Sequence, residues 1–517
     1  MADTERVSMT TVAEQPKPKK KKTAKRKLYD LHTWLGFHLA LIMSVVLFTG
    51  TVATISNEID WIFQHDMRVS PDGERVSWST IEAAAKAYAP DHMLTRLEVG
   101  KGEHFAYRAS FTRPDGKRYF VHVNQWTGDV TGTTGALTVQ RFFRDLHRYL
   151  FMPSMPGIII VCSMAFVLAV SLYTGLKTTG KIRKVATRLR REKGTRVFVG
   201  DLHKAAGVWS VWFFVVIITT GIWYLAEFGA AVGGARFEPP RPGVSAERVA
   251  EYGDVMRVMP ADEIIAKATD AFPGWEPKEI FYPSRPGQAL SVWGRADDVL
   301  VRSRANRVFM DPVDGTMIKV QKSGDIGWVA YLNEIADPLH FGTFGRLPTK
   351  LIWFVFGVAM TGLSITGVWL TYRRLKKVSV SKSQFATMPV LLLSLLAGTS
   401  YINRYTLTYD PGELEQSRVE QIDEFTLSTH WYLHEENGEN HIQIDVRHAD
   451  GRPLIESANL VGFDDQPHAM SFRTFAQTTT LRTTVSSDIL SKEDTVFVNV
   501  QLASGRQLVQ TIGPLNR

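Results

Sequence analysis

Four histidines recur at matched places in this chain. His32 stands in LHTWLG at 31–36 and His203 in LHKAAG at 202–207, and Gly36/Gly207 and Gly50/Gly221 share their offset of 171 residues. His147 and His340 precede Pro156 and Pro348, then Thr174-Gly175 and Thr366-Gly367, with one residue of slack between them. A neutral imidazole donates a ring nitrogen to a metal, and two imidazoles facing each other supply both axial ligands of an iron porphyrin. Cys162 is the only cysteine. That excludes an internal disulfide framework, a C-x-x-C-H covalent haem, a cysteine-ligated iron–sulfur cluster and a Cys-rich zinc site. A haem held here is therefore b-type.

The plainer readings carry weight. A lone histidine at a helix start is more often an interfacial anchor or cap; four at equivalent positions favour ligation. Gly36, Gly207, Gly50, Gly221, Gly175 and Gly367 would admit a porphyrin between helices or serve ordinary close helix contact. His38 breaks the symmetry, since its counterpart is Trp209. It lies about 9 Å deeper than His32 and about 240° around the helix, and an ionisable group inside a span is a functional candidate. It ranks behind the symmetric four, as an alternative to His32, a ligand of another haem or a propionate partner. His430 and His434, with Glu435, have a metal-like spacing in a strand-and-loop setting that favours surface histidines. His65, His92, His104, His122, His441, His448 and His468 show no ligand spacing. Trp353 and Trp369 read as lipid-facing or core residues.

The elements that position these groups are apolar helices. A mean hydropathy of −0.08 hides segments of bunched apolar residues. A span needs about 20 of them, and residues 32–56, 147–177, 203–229 and 340–373 qualify; 385–402 is a shorter fifth candidate. The first follows a basic stretch as a signal peptide would, but its apolar run is too long and lacks a small-residue cleavage site, so it is expected to remain as an anchor.

Charge orients the chain. The net charge is +8, yet residues 17–27, 177–196 and 373–384 together carry +21, leaving −13 elsewhere. Under the positive-inside rule these runs mark one cytoplasmic side, comprising the basic tail 1–31 and loops 178–202 and 374–384. The runs are topology signals rather than a nucleic-acid face. The opposite, periplasmic side receives 57–146, 230–339 and 403–517.

The exterior segments repeat as the helices do. VHVNQWTGDV at 121–130 matches VFMDPVDGTM at 308–317, each a strand, a turn ending in Gly and a further strand, preceded by amphipathic stretches at 80–88 and 261–271. The fold expected is a membrane α-helical bundle of two parallel helix–exterior module–helix repeats plus a fifth span, with α+β exterior modules. Residues 403–517 alternate polar and apolar with turn signals, as a small β-sandwich does. A parallel repeat has its axis along the membrane normal, which places His32 with His203 near one face and His147 with His340 near the other.

LHTWLG with its trailing FTG, DLHRYL, DLHKAAG and PLHFGTFG together resemble the bacterial PepSY-associated transmembrane family over roughly residues 28–378, and the exterior modules resemble PepSY domains. That family includes inner-membrane ferric-siderophore reductases carrying haem b. The resemblance implies that His32, His147, His203 and His340 are the family's histidines, that two haems are bound, and that a ferric siderophore or other ferric chelate is the acceptor. Some relatives carry a fused flavoprotein module after the last span; here the chain instead continues into an apolar segment and a β-rich region. Electrons are then expected from a separate cytoplasmic flavoprotein reductase or from quinol. The rival expectation is a non-enzymatic protein whose PepSY-like modules regulate a peptidase or bind an envelope partner. A transporter fits the repeat but wants broken spans and buried charged pairs.

Overall fold

The structure, a computed structural model, describes residues 23–374, 388–406 and 413–512, apart from 91, 114–116, 286, 435–438, 463–465, 476–477, 487–488 and 491–493. Most of the basic tail, most of loop 374–384, the first residues of the fifth apolar segment, Glu435 and the His434 side chain lie outside the described residues.

Helices α1 (Ala24–His38) and α2 (Ala40–Thr54) meet at a 68° bend and together match one span. The break at Leu39 (φ −101°, ψ 1°) involves neither Pro nor Gly. The first span is thus broken where an unbroken helix was expected, because Leu39 takes bridge-region angles that interrupt the helical path. After α3 (Ser56–Phe63), α4 (Trp78–Tyr88) and α5 (Val139–Tyr149) comes α6 (Ser154–Thr178), among the described residues one of three single helices long and apolar enough to cross a membrane. Short α7 (Ile182–Thr187) leads to α8 (Thr195–Trp209) and the second such helix, α9 (Val211–Val232). Ser210 joins these with φ −88° and ψ 0°, 171 residues after Leu39 and with similar angles. After α10 (Ala246–Glu251), α11 (Ala261–Ala271) and α12 (Trp328–Phe341) comes the third, α13 (Arg346–Arg374). Helix α14 (Met388–Thr406) has a shorter apolar stretch, Pro389–Ile402.

Between the helices lies one eight-stranded sheet. Its strands are β1 (Met93–Glu98), β2 (Tyr107–Thr112), β3 (Arg118–Val123) and β4 (Val130–Gly135), then, after a two-residue β5 (Val255–Met256) outside this sheet, β6 (Glu276–Phe281), β7 (Leu290–Arg295), β8 (Asn306–Met310) and β9 (Met317–Gln321). The order β4-β3-β2-β1-β6-β7-β8-β9 is two antiparallel meanders joined where β1 pairs with β6. The turn glycines Gly128 and Gly315 adopt φ of 84° and 71°, a region that side chains with a Cβ rarely enter. Helices α4 and α11 cover one face over a shared core including Ile81, Phe111, Ile264 and Ile280.

The other face carries charge. Across the β1–β6 junction Glu98 is buried and paired with Arg108 at 2.6 Å and with Arg96, which also reaches Glu279 at 2.9 Å. These cations hold the Glu98 carboxyl well below the usual range against the opposing effect of burial. Nearby His122, buried and bonded to Thr134 at 2.8 Å, is lowered to about 4, first by burial and then by Arg108. An unfolded chain protonates this histidine near pH 6.5, so protonation favours unfolding as pH falls from there toward 4. The full contribution is present above pH 6.5. Thermal unfolding should show about 2 kcal/mol less stability at pH 5 than at pH 7.5 from this group, and His122→Gln should flatten that dependence. An unchanged slope in the variant would refute the assignment.

After α14 the chain is β-rich. Strands Glu413–Ile422, Phe425–His434, Glu439–His448, Thr478–Ser486 and Ser471–Phe475 form one sheet, and His468–Ala469, Ile455–Val461, Val496–Leu502 and Gln507–Ile512 form another. They enclose one core that includes Phe425, Trp431, Leu460 and Val498. This domain docks on the second meander's side, where Arg452–Pro453 pairs with β5 and the buried Arg452 guanidinium donates to the Pro283 carbonyl.

Candidate functional site

The structure brings the four histidines together in two pairs. His32 on α1 and His203 on α8 have ring centres 6.4 Å apart and planes at 77°. His147 on α5 and His340 on α12 are 6.1 Å apart at 40°. His147 and His340 sit on helices preceding the spans rather than in them. Leu150 and Phe151, both left-handed (φ 52° and 58°), form an elbow between α5 and α6. Gly342 (φ 68°) ends α12, where an added Cβ would meet Trp353 at 2.6 Å. Trp353 is a core residue, and its indole N–H donates to the Leu339 carbonyl at 2.8 Å.

Each imidazole is anchored through Nδ1. His32 Nδ1 lies 3.0 Å from the Ser171 carbonyl and 3.2 Å from Thr174 Oγ1 on α6. His147 Nδ1 lies 2.9 Å from the Val46 carbonyl on α2. A carbonyl only accepts, so in both cases Nδ1 carries the hydrogen and donates it. His203 meets Thr366 Oγ1 at 2.9 Å and His340 meets Thr220 Oγ1 at 2.8 Å. Those hydroxyls already donate to the carbonyls of Gly362 (2.6 Å) and Val216 (2.8 Å), so they too accept from Nδ1. All four rings are thereby set in the tautomer that leaves the Nε2 lone pair free as a donor to a metal.

Glycines make room for these rings. An added Cβ at Gly50 would lie 2.7 Å from His147 Cε1, at Gly175 3.2 Å from His32 Cε1, and at Gly367 3.5 Å from His203 Cε1. Gly221 behaves differently and meets Ala165 on α6 at 3.0 Å, a helix–helix contact, while Gly36 has no such neighbour within 4 Å. The Thr-Gly dipeptides are thus a hydroxyl and a cradle for histidine at Thr174-Gly175 and Thr366-Gly367, a role that small-residue packing alone does not suggest. Their recurrence at 49, 174, 220 and 366 was the available signal.

His38 belongs to neither pair; it ends α1, with its ring centre 5.1 Å from Trp34 and 5.5 Å from Phe37. His430 lies on a strand, its Nδ1 3.0 Å from Ser417 Oγ and its Nε2 4.0 Å from Asp445.

A charged network that spacing does not reveal adjoins His340. Tyr224, with its ring 5.2 Å from His340, donates to Asp337 at 2.7 Å. Arg302 joins Asp337 to Glu334, and Arg304 joins Glu334 to Glu238. Among the described residues no group of three or more His, Cys, Asp or Glu is placed to hold a metal. Each site is therefore a two-imidazole set, suited to an ion that brings further ligands with it.

Residues 29–374, more than half of the chain, match the family described as the PepSY-associated TM region. The chain belongs to that family and is a membrane protein with several apolar helices. No curated protein matches it.

Proposed function

We propose that this protein is a haem b-containing reductase of the bacterial inner membrane. It would pass electrons across the bilayer to a periplasmic ferric chelate, a ferric siderophore by family resemblance, in iron acquisition. On this reading two helix–module–helix repeats and α14 as a fifth span build the membrane part. The +21 of the basic stretches faces the cytoplasm, and the sheet and C-terminal domain face the periplasm.

The observation that carries the reading is the pair of two-imidazole sites. Two imidazoles sharing one iron through Nε2 bonds of about 2 Å have ring centres about 6 Å apart, and these stand at 6.4 and 6.1 Å. His32 with His203 would hold one haem and His147 with His340 the other, at two levels along α6: His32 is bonded at Ser171 and Thr174, while Thr220, which holds His340, adjoins Gly221 facing Ala165. Haem bound there supplies one-electron chemistry. The protein's part is to hold each Nδ1 hydrogen on Ser171, Val46, Thr366 or Thr220 and so aim a neutral Nε2 inward. Bonding at Nδ1 raises the ring's donor strength. The Gly50 and Gly175 cradles set how near each ring comes to its neighbouring helix. Reduction of the chelate weakens an oxygen-rich chelator's hold, since Fe(II) is softer and less charged than Fe(III). The donor would be a separate cytoplasmic flavoprotein reductase or quinol.

Detergent-purified protein from haem-replete cells should show a Soret band and sharp α and β bands on dithionite reduction. Colourless protein would contradict the proposal and favour the non-enzymatic regulator of a peptidase or envelope partner.

A further inference from the structure

Helix α14 follows the family-matched region and packs against the segment that presents His147. Leu391, Ser394, Gly398, Tyr401 and Tyr405 recur at helical spacing. Leu392, Leu393, Leu395 and Leu396, interleaved with them, are exposed. The Tyr401 hydroxyl donates to buried Asp145 at 2.9 Å, two residues before His147 on α5's second half. Its ring stacks on Phe151 with centres 4.6 Å apart and planes at 24°. Arg141 Nε donates to Tyr405 at 3.2 Å and pairs with Asp145 at 3.0 Å. An added Cβ at Gly398 would lie 3.2 Å from Phe151. Val390 and Leu391 pack on the cluster of Ile42, Val46, Leu150 and Val161, and the Val46 carbonyl is the group that anchors His147 Nδ1.

The elbow needs such support. Leu150 and Phe151 are consecutive non-glycine residues in the left-handed region, a conformation that persists only where surrounding packing over-determines it. Fully buried Leu150 and stacked Phe151 both lie against the α14 contact.

We propose that α14 is a clamp that positions His147, with Tyr401 and Asp145 as its positioning residues. The clamp holds the α5–α6 elbow on one side and the Val46 segment of α2 on the other. This rests on the reading of His147 as a haem ligand, and it makes the His147/His340 centre, unlike the His32/His203 centre, answerable to the C-terminal segment.

The test uses the full chain and Tyr401→Phe, which deletes one hydroxyl and retains the ring stack. Haem transfer to apomyoglobin from the His147/His340 centre should accelerate about tenfold, as loss of a hydrogen bond to a charged group implies, and that centre's midpoint potential should shift. The His32/His203 centre should keep both rate and potential. In haem-free protein, amide exchange across residues 146–152 should rise in the same variant. Should the wild-type chain carry no haem, the ligand reading fails while this exchange measurement still tests the clamp. Exchange and haem release both at wild-type values, or equal disturbance of both centres, would overturn the proposal.

Discussion

On the proposed reading, His147→Ala or His340→Ala is expected to remove about half of the reduced α-band absorbance, the share of one of two bis-imidazole centres, and to leave the His32/His203 contribution. The effect is expected to be nearly complete at the altered centre because no third His, Cys, Asp or Glu joins either pair among the described residues. The two pairs also lie at different levels along α6, since His32 is bonded at Ser171 and Thr174 while Thr220, which holds His340, adjoins Gly221 facing Ala165. A change at one level therefore leaves the ring anchors of the other in place. His32→Ala and His203→Ala should give the complementary loss. His38→Ala should spare both centres, its ring lying against Trp34 and Phe37 instead. Reduced spectra of the five variants check this, and four unchanged spectra among the paired histidines would end the ligand assignment.

Gly50→Leu should be the most damaging of the glycine replacements. Its Cβ alone would stand 2.7 Å from Cε1 and 2.9 Å from Nδ1 of His147, and His147 is tethered to the Val46 carbonyl one turn away on the same helix. The ring must leave its cradle, losing the Nδ1 anchor, or α5 must move from α2. Overfilling of this kind costs about 1–3 kcal/mol, and here the displaced group is the proposed ligand itself. The variant should lose the His147/His340 absorbance and keep the other centre. Gly221→Leu instead meets Ala165 Cβ at 3.0 Å, so it should lower thermal stability by loosening α9 from α6, with any haem loss falling on the His147/His340 centre, whose His340 rests on the adjoining Thr220. Gly36→Ala, with no such neighbour within 4 Å, should be silent. Haem content and melting temperature for the three variants separate these outcomes; normal haem content in Gly50→Leu would show that the cradle is not required.

Much of this geometry was legible in the residues. The 171-residue offset put His32 with His203, and the Pro and Thr-Gly landmarks put His147 with His340. The turn glycines Gly128 and Gly315 marked the strand pairs around them. Other features left no local trace. The bend at Leu39 and the helix break at Ser210 contain neither Pro nor Gly, and the Leu150–Phe151 elbow uses left-handed residues that composition argues against. DLHRYL therefore reads as running on into the next apolar helix, whereas α5 and α6 are separate. The union of two meanders by β1 and β6 is a pairing between edge strands far apart in sequence, which alternation cannot specify. The roles of Thr220, Thr366 and the carbonyls of Val46 and Ser171 depend on which helix lies opposite, and that is a tertiary fact.

The most direct measurement is the number of haem groups and iron atoms per chain in detergent-purified protein, by pyridine haemochrome and elemental analysis on one sample. Two protohaems and two irons per polypeptide is the result expected of imidazole pairs at two levels of the bundle. Iron-free, colourless chains from cells with ample haem would contradict it.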